Sequence, residues 1–356
     1  MRGAPLAILF LAAGCGDNSH GAASVDAPVA GDHDAASVDA PPPPPDAAPD
    51  HLQAIYDEVD AAHLAQLVRE MSGAVPVTVG GETFTIDERY SDLGRQHFRA
   101  YWTQYMTGLG LAVTPLPYQA AGHPRSGDDV EAVLPGASAD SVVVIVHYDS
   151  IGPDGMETMN PGADDDMTGM AIELETARIL VAHRAELTTT VRFVASDEEE
   201  LGGLGGARAY GTYIKGLAQT AGFALVAAVD DEQTGWNCRA THSCPDALPA
   251  RFDVFSCGQS QTEHFSNPAL GDRLASIVAT YSPLGVTRAC MGANSDHFAM
   301  WEAGIPSVVF SEHDPFDNPH FDQEGGDVFA ALDLDYFVAI ARPAITFQAA
   351  LAGLTK

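Results

Sequence analysis

The amino-acid sequence predicts an α/β domain of three layers, α/β/α, on a mostly parallel, mixed central sheet. Three observations predict it. Four short runs rich in β-branched residues stand out: Val142 to Val146, Thr190 to Ala195, Ala224 to Val229 and Pro306 to Phe310. Helical spacing lies between them, as in Met170, Leu174, Ala177 and Val181, and that alternation favours a largely parallel sheet covered by helices on both sides. Each run is also followed at once by acids or imidazoles, and in open α/β sheets ligands bind at the carboxyl ends of the strands.

Taken in chain order, the first fourteen residues carry one cation, Arg2, then the apolar run Leu6 to Ala13, which reads as a secretory signal peptide over residues 1–14. Leu11-Ala12-Ala13-Gly14-Cys15 resembles the lipobox of bacterial lipoproteins, in which Cys15 would receive lipid. Ordinary signal-peptidase cleavage is the alternative, and both export the chain. The expected location is the outer membrane or cell surface, otherwise the periplasm or medium. Residues 15–50 are rich in Ala, Asp, Pro, Ser and Gly with prolines at 41–45, and they contain no Phe, Trp, Tyr, Lys or Arg, so they read as a disordered tether. Residues 51–356 remain for one catalytic-size domain, with no second linker and no internal repeat. A helix from about Ser91 to Leu109 is expected to bury Phe98, Trp102, Tyr105 and Leu109.

The net charge of -32 argues against nucleic acid, whose phosphates demand Lys and Arg, and suits a site that binds cations. No apolar stretch is long enough to span a bilayer, so membrane attachment would rest on Cys15 alone. Four further cysteines suggest Cys238 with Cys244 and Cys257 with Cys290 as disulfides of an exported protein. A zinc site made from these four is disfavoured, since the sequence contains no Cys-x-x-Cys.

The chemistry sits after the strands. The first run leads into His147-Tyr148-Asp149, the second into Ser196-Asp197-Glu198-Glu199-Glu200, the third into Asp230-Asp231-Glu232 and the fourth into Ser311-Glu312-His313-Asp314. A fifth segment, Pro161 to Gly169, is an acidic turn with three aspartates, of which a helix cap needs only one. Acids end many strands because loops are polar. Four such ends at one sheet edge are another matter, because carboxylates crowded together without a cation repel one another. Imidazole and carboxylate oxygen are donors that zinc accepts.

Together with Asp129 to Gly136, Ser295-Asp296-His297 and Ala303-Gly304-Ile305-Pro306, these segments resemble the co-catalytic zinc exopeptidases. That family includes bacterial leucyl and Streptomyces aminopeptidases, glutamate carboxypeptidase and the glutaminyl cyclases. The resemblance runs from roughly residue 85 to 345. It implies two zinc ions and peptide or protein N-termini as substrate. It makes His147, Asp165, Glu200 and Asp230 metal ligands, with Asp165 bridging, Glu199 the general base, and Asp149 the carboxylate that orients His147. Asp231 and Glu232 stay open beside Asp230. The last ligand falls in Asn318-Pro319-His320-Phe321-Asp322-Gln323, where the family has a histidine at the position of Asp322. His320 is favoured there over Asp322 and His313. An inactive anchored binding protein on the same scaffold, a glutaminyl cyclase and a carboxypeptidase are the other readings. No Gly-x-Ser-x-Gly elbow supports a serine hydrolase.

Overall fold

The computed structural model of the chain describes residues 50–119, 126–151, 160–244, 250–259, 264–291, 295–323 and 325–355. The expected signal peptide, Cys15 and nearly all of the tether lie outside the described residues. From Ala48 onward the chain forms one unit.

The strands are β1 (Val77–Val79), β2 (Glu82–Phe84), β3 (Ala112–Gln119), β4 (Ser126–Leu134), β5 (Ser138–His147), β6 (Thr189–Ser196), β7 (Leu225–Asp231), β8 (Arg251–Gly258), β9 (Gly285–Met291) and β10 (Ser307–Glu312). β1 and β2 form a separate antiparallel hairpin. The other eight make one sheet in the order β3-β4-β6-β5-β7-β10-β8-β9. Its centre, β6-β5-β7-β10, is parallel, and antiparallel pairings flank it at β3-β4, β4-β6 and β10-β8. The four runs singled out in the sequence are this parallel centre. They are easy to see because both faces are covered, which demands apolar residues at successive positions.

The alternation along β5 shows how the layers divide. Val142, Val144 and Val146 point into one core, with α3 (Asp92–Gly108), α4 (Met167–Ala182) and α8 (Leu334–Leu351). Val143 and Ile145 point into the other, with α5 (Gly205–Ala221) and α7 (Asp296–Ala303). α1 (His51–Glu58), α2 (Ala61–Met71) and α6 (Pro268–Tyr281) extend the first of these layers.

The outer strands escaped sequence reading for physical reasons. β3 carries Pro115 and Pro117, which an edge strand tolerates and a central one does not. β9 lies at the opposite edge, tied to β8 by the Cys257–Cys290 disulfide, while Cys238–Cys244 closes a short loop after β7. Both cysteine pairings match the expected ones. α3 begins at Ser91, whose side chain accepts from Gly94 N, and it buries Phe98, Trp102 and Met106 fully, with Tyr105 and Leu109 only partly covered. Phe98 stacks on Tyr148 with ring centroids 4.9 Å apart, so this helix backs the strand end that carries His147. Among the described residues no helix is long and apolar enough to cross a membrane.

One acid lies inside the core. Glu173 of α4 is fully buried, accepts from Trp102 Nε1 at 2.9 Å, and is pushed up to about 8 by loss of hydration. A folded chain that keeps this proton is most stable below the ordinary carboxyl range and loses stability as pH rises toward about 8. Glu173→Gln keeps an oxygen for Trp102 and has no charge to acquire. Its Tm is expected to match the parent near pH 4.5 and to exceed it by a growing margin up to pH 8; a margin independent of pH would contradict this placement of the proton.

Candidate active site

His147 is the last residue of β5, and the chain beyond it turns through Tyr148 to Asp149. Its Nε2 lies 3.1 Å from Asp165 Oδ1, and its Nδ1 lies 3.6 Å from Asp149 Oδ1. All three side chains are buried, yet neither His147 Nδ1 nor Asp165 Oδ1 makes a hydrogen bond of acceptable geometry. His147 Nε2 and Asp165 Oδ1 thus lie close together without a hydrogen bond between them, as two ligands of one metal ion would. Ligands of one tetrahedral zinc are spaced about 3.4 Å apart, given bonds of ~2.0–2.2 Å.

The three aspartates after Gly162 have three separate tasks. Asp166 caps α4 by accepting from Gly169 N at 3.0 Å. Asp164 points away and accepts from Thr234 N, Gly235 N and Asn318 Nδ2. Asp165, left between them, faces His147. The turn is held from outside by Asp327, whose carboxylate accepts from the amides of Asp164 at 2.7 Å and Asp165 at 2.9 Å.

β6 delivers the glutamate pair. After Ser196 the backbone passes through Glu198 in the left-handed region, with φ of 62°, into a π-helical turn, Glu199–Gly203. Asp149 anchors that turn, its two oxygens accepting from Glu199 N at 3.1 Å and Glu200 N at 3.3 Å. Asp149 thereby joins the ends of β5 and β6 as well as flanking His147. One carboxylate oxygen of Glu200 lies within 4.8 Å of ligand atoms of both His147 and Asp165.

On β7 the pleat separates the three candidate acids. Asp231 faces α8, where Gln348 Nε2 donates to both its oxygens. Asp230 and Glu232 share the opposite face. Asp230 is level with Ile145, not His147, and its Oδ2 accepts from His297 N at 2.8 Å with His297 Nδ1 at 3.1 Å. Glu232, two residues further along, has an oxygen within 4.8 Å of His147 and Asp166 ligand atoms. Of the two, it is Glu232 and not Asp230 that shares a grouping of ligand atoms with His147. The sequence signal was Gly235: the family's third aspartate is soon followed by glycine, and Glu232 stands nearer to it.

The C-terminal segment sets His320, Asp322 and His313 in different surroundings. Among the described residues neither His320 nor Asp322 enters a grouping of ligand atoms, and the His320 amide donates to Asn318 Oδ1 at 2.9 Å. Asp322 turns inward, with φ of 53° and a buried, unpartnered Oδ1, and its charge acts on Glu200. His313 belongs elsewhere, its Nδ1 2.8 Å from Asp253 Oδ1.

The electrostatics follow from this crowding. Burial first, then neighbouring carboxylates, push Glu199, Glu200, Glu232 and Asp166 well above the usual carboxylate range, and Asp322 up to about 7. His147 is drawn down by burial but raised further by Asp149 and Asp165, ending well above an ordinary imidazole. A divalent cation among these groups would reverse that balance by rewarding the ionised carboxylates and neutral imidazole. Buried oxygens of Asp165, Asp166, Glu200 and Asp322 lack a hydrogen-bond partner, so the donor set fits a metal better than it fits itself.

Comparisons with known proteins bear on the family and the fold. A probable leucine aminopeptidase of Trichophyton verrucosum is 28% identical over 230 residues, 63% of this chain and 56% of that relative, so the chain spans little more than half its length. In structure the chain is similar to the LapA aminopeptidase of Legionella pneumophila, with a TM-score of 0.65, 20% identity, and coverage of 86% of this chain and 75% of that one. It is similar too to BSAP, a zinc aminopeptidase from Bacillus subtilis, with a TM-score of 0.64, 14% identity, and coverage of 82% and 95%. A glutaminyl cyclase of Porphyromonas gingivalis has a TM-score of 0.60, 16% identity, and coverage of 82% and 99%. These likenesses establish the α/β fold. The model of peptidase family M28 matches residues 129–347, well over half of the sequence, from the strand before His147 to the last helix, and the chain belongs to that family.

Proposed function

We propose that the protein is a zinc-dependent aminopeptidase that removes N-terminal residues from peptides. The observation that carries this reading is the convergence of His147, Asp165 and Glu200 ligand atoms within 4.8 Å of one another, with Glu232 beside the same histidine. We assign His147, Asp165 and Glu232 to one zinc ion, and Asp165, Glu200 and Asp322 to a second. Asp165 would serve both. Glu232 replaces Asp230 and Asp322 replaces His320 for the reasons of register and orientation given above.

When bound, zinc supplies a Lewis acid for the scissile carbonyl and for the attacking water. The rest falls to the chain's own groups. Glu199 is in no ligand grouping but lies close enough to His147, Glu232 and Asp165 for their charges to act on it. Its carboxylate accepts the proton of the attacking water and returns it to the leaving amine. Asp149 keeps His147 oriented and, through the amides of Glu199 and Glu200, holds the base at a fixed distance from the ligands. The acid-lined site suits a substrate that presents a free ammonium group.

The protein is further proposed to act outside the cytoplasm, held by lipid on Cys15. The Arg2 to Cys15 pattern supports this, as do two disulfides, which persist in oxidising compartments.

The reading is tested by assaying free-amine aminoacyl substrates against the same compounds with the amine acylated. Turnover of the free-amine series, lost to a chelator and restored by zinc, is expected; turnover of blocked substrates alone would overturn it. Glu199→Gln should bind zinc like the parent while kcat falls by about 10²–10⁴-fold. Asp322→Ala should bind one zinc ion fewer, and His320→Ala should not. Near-normal kcat in the first variant, or the reverse pattern in the other two, would remove those residues from their roles.

A further inference from the structure

The loops that meet at His147 are joined by a side chain outside the matched family region. Arg89 lies between β2 and α3 and is fully buried. Its Nε donates to Tyr148 O at 2.5 Å, its Nη1 to Pro161 O at 2.5 Å and Met71 O at 3.2 Å, and its Nη2 to Gly162 O at 3.0 Å. Its amide donates to Ser150 Oγ at 3.0 Å, and that hydroxyl donates to Asn160 O at 2.9 Å. One guanidinium thus links the residue between His147 and Asp149 to the turn that leads into Asp165.

The fit leaves no slack. A Cβ on Gly162 would lie 2.3 Å from Arg89 Nη2 and 2.3 Å from Asp165 O, and Gly162 also has φ of +52°. Glycine is needed there because the arginine and the ligand loop both press on it. Each of these side-chain hydrogen bonds ends on a carbonyl oxygen, so none of them pairs the cation with a carboxylate. The nearby charges that favour it are those of Asp327, Asp149, Glu200 and Asp165, all of which belong to the site or its supporting turn.

We propose that Arg89 is a positioning residue of the metal centre, its planar fork setting the spacing between the loops that carry Asp149 and Asp165. The inference rests on the zinc reading above. A fork of fixed N–H directions can satisfy several carbonyls at once, whereas a lysine brings the charge without that geometry.

The test uses the full chain with zinc ion alone as ligand. Zinc affinity is measured by competition with a chelator for the parent, Arg89→Lys, Arg89→Met and Gly162→Ala, alongside the Tm of each zinc-free protein and kcat and KM at saturating zinc. Affinity is expected to fall by about 10–100-fold in all three variants, the lysine variant included, with the loss at saturating zinc carried by kcat more than by KM. Folded variants with parental affinity and kcat would overturn the proposal, even if their Tm were lower. Failure of all three to fold would assign Arg89 to stability alone and overturn it equally. A parent chain that takes up no zinc would instead sink the zinc-peptidase reading itself.

Discussion

Like charges gathered in a buried place repel one another, and the fold is organised around that constraint. The parallel strands β6, β5 and β7 end side by side, and each delivers carboxylate or imidazole to the same edge. Without a partner, burial and then the neighbouring carboxylates push Glu200, Glu232 and Asp322 upward, toward the protonated form. A divalent cation relieves this crowding and makes use of it. On the proposed reading the same placement gives Glu199 its role, because a carboxylate beside the metal ligands but outside their number is free to carry a proton.

The loops around that edge are made rigid by groups that never touch a substrate. Asp327 holds two successive amides of the acidic turn, Asp149 holds two amides of the glutamate turn, and Asp164 holds the chain after β7. Each acid is thus directed at main-chain N–H groups, which fix loop geometry without supplying counter-charge. Arg89 does the converse, directing a cation at main-chain carbonyls. Such fixed outer contacts are how a site on loops can keep the tolerance that metal coordination demands.

The sequence made the centre of the sheet and much of the site legible, and the reasons it stopped there are physical. Central strands must be apolar at successive positions, so β5, β6, β7 and β10 declared themselves; β3, with its two prolines, did not. His147, Asp149, Asp165, Glu199 and Glu200 follow strands or glycines that fix their register, and all five come together. Asp230 directly follows an apolar run, but it lies level with Ile145, and it is Glu232 that has an oxygen within 4.8 Å of a His147 ligand atom. An extended segment would place His320 on the same side as Asp322, two residues on, but the backbone at Asp322 is left-handed and its Oδ1 is buried. Arg89 left no local signal at all, since its partners are backbone oxygens far away in sequence.

The central claim, a pair of cations enclosed by strand-end acids, is tested most directly by crystallography of the zinc-loaded protein at wavelengths on either side of the zinc absorption edge. Two anomalous peaks sharing Asp165 are expected, one between His147 and Glu232 and the other between Glu200 and Asp322. An absence of peaks there, or zinc found only beside Asp253, His313 and Asp314, would contradict the account.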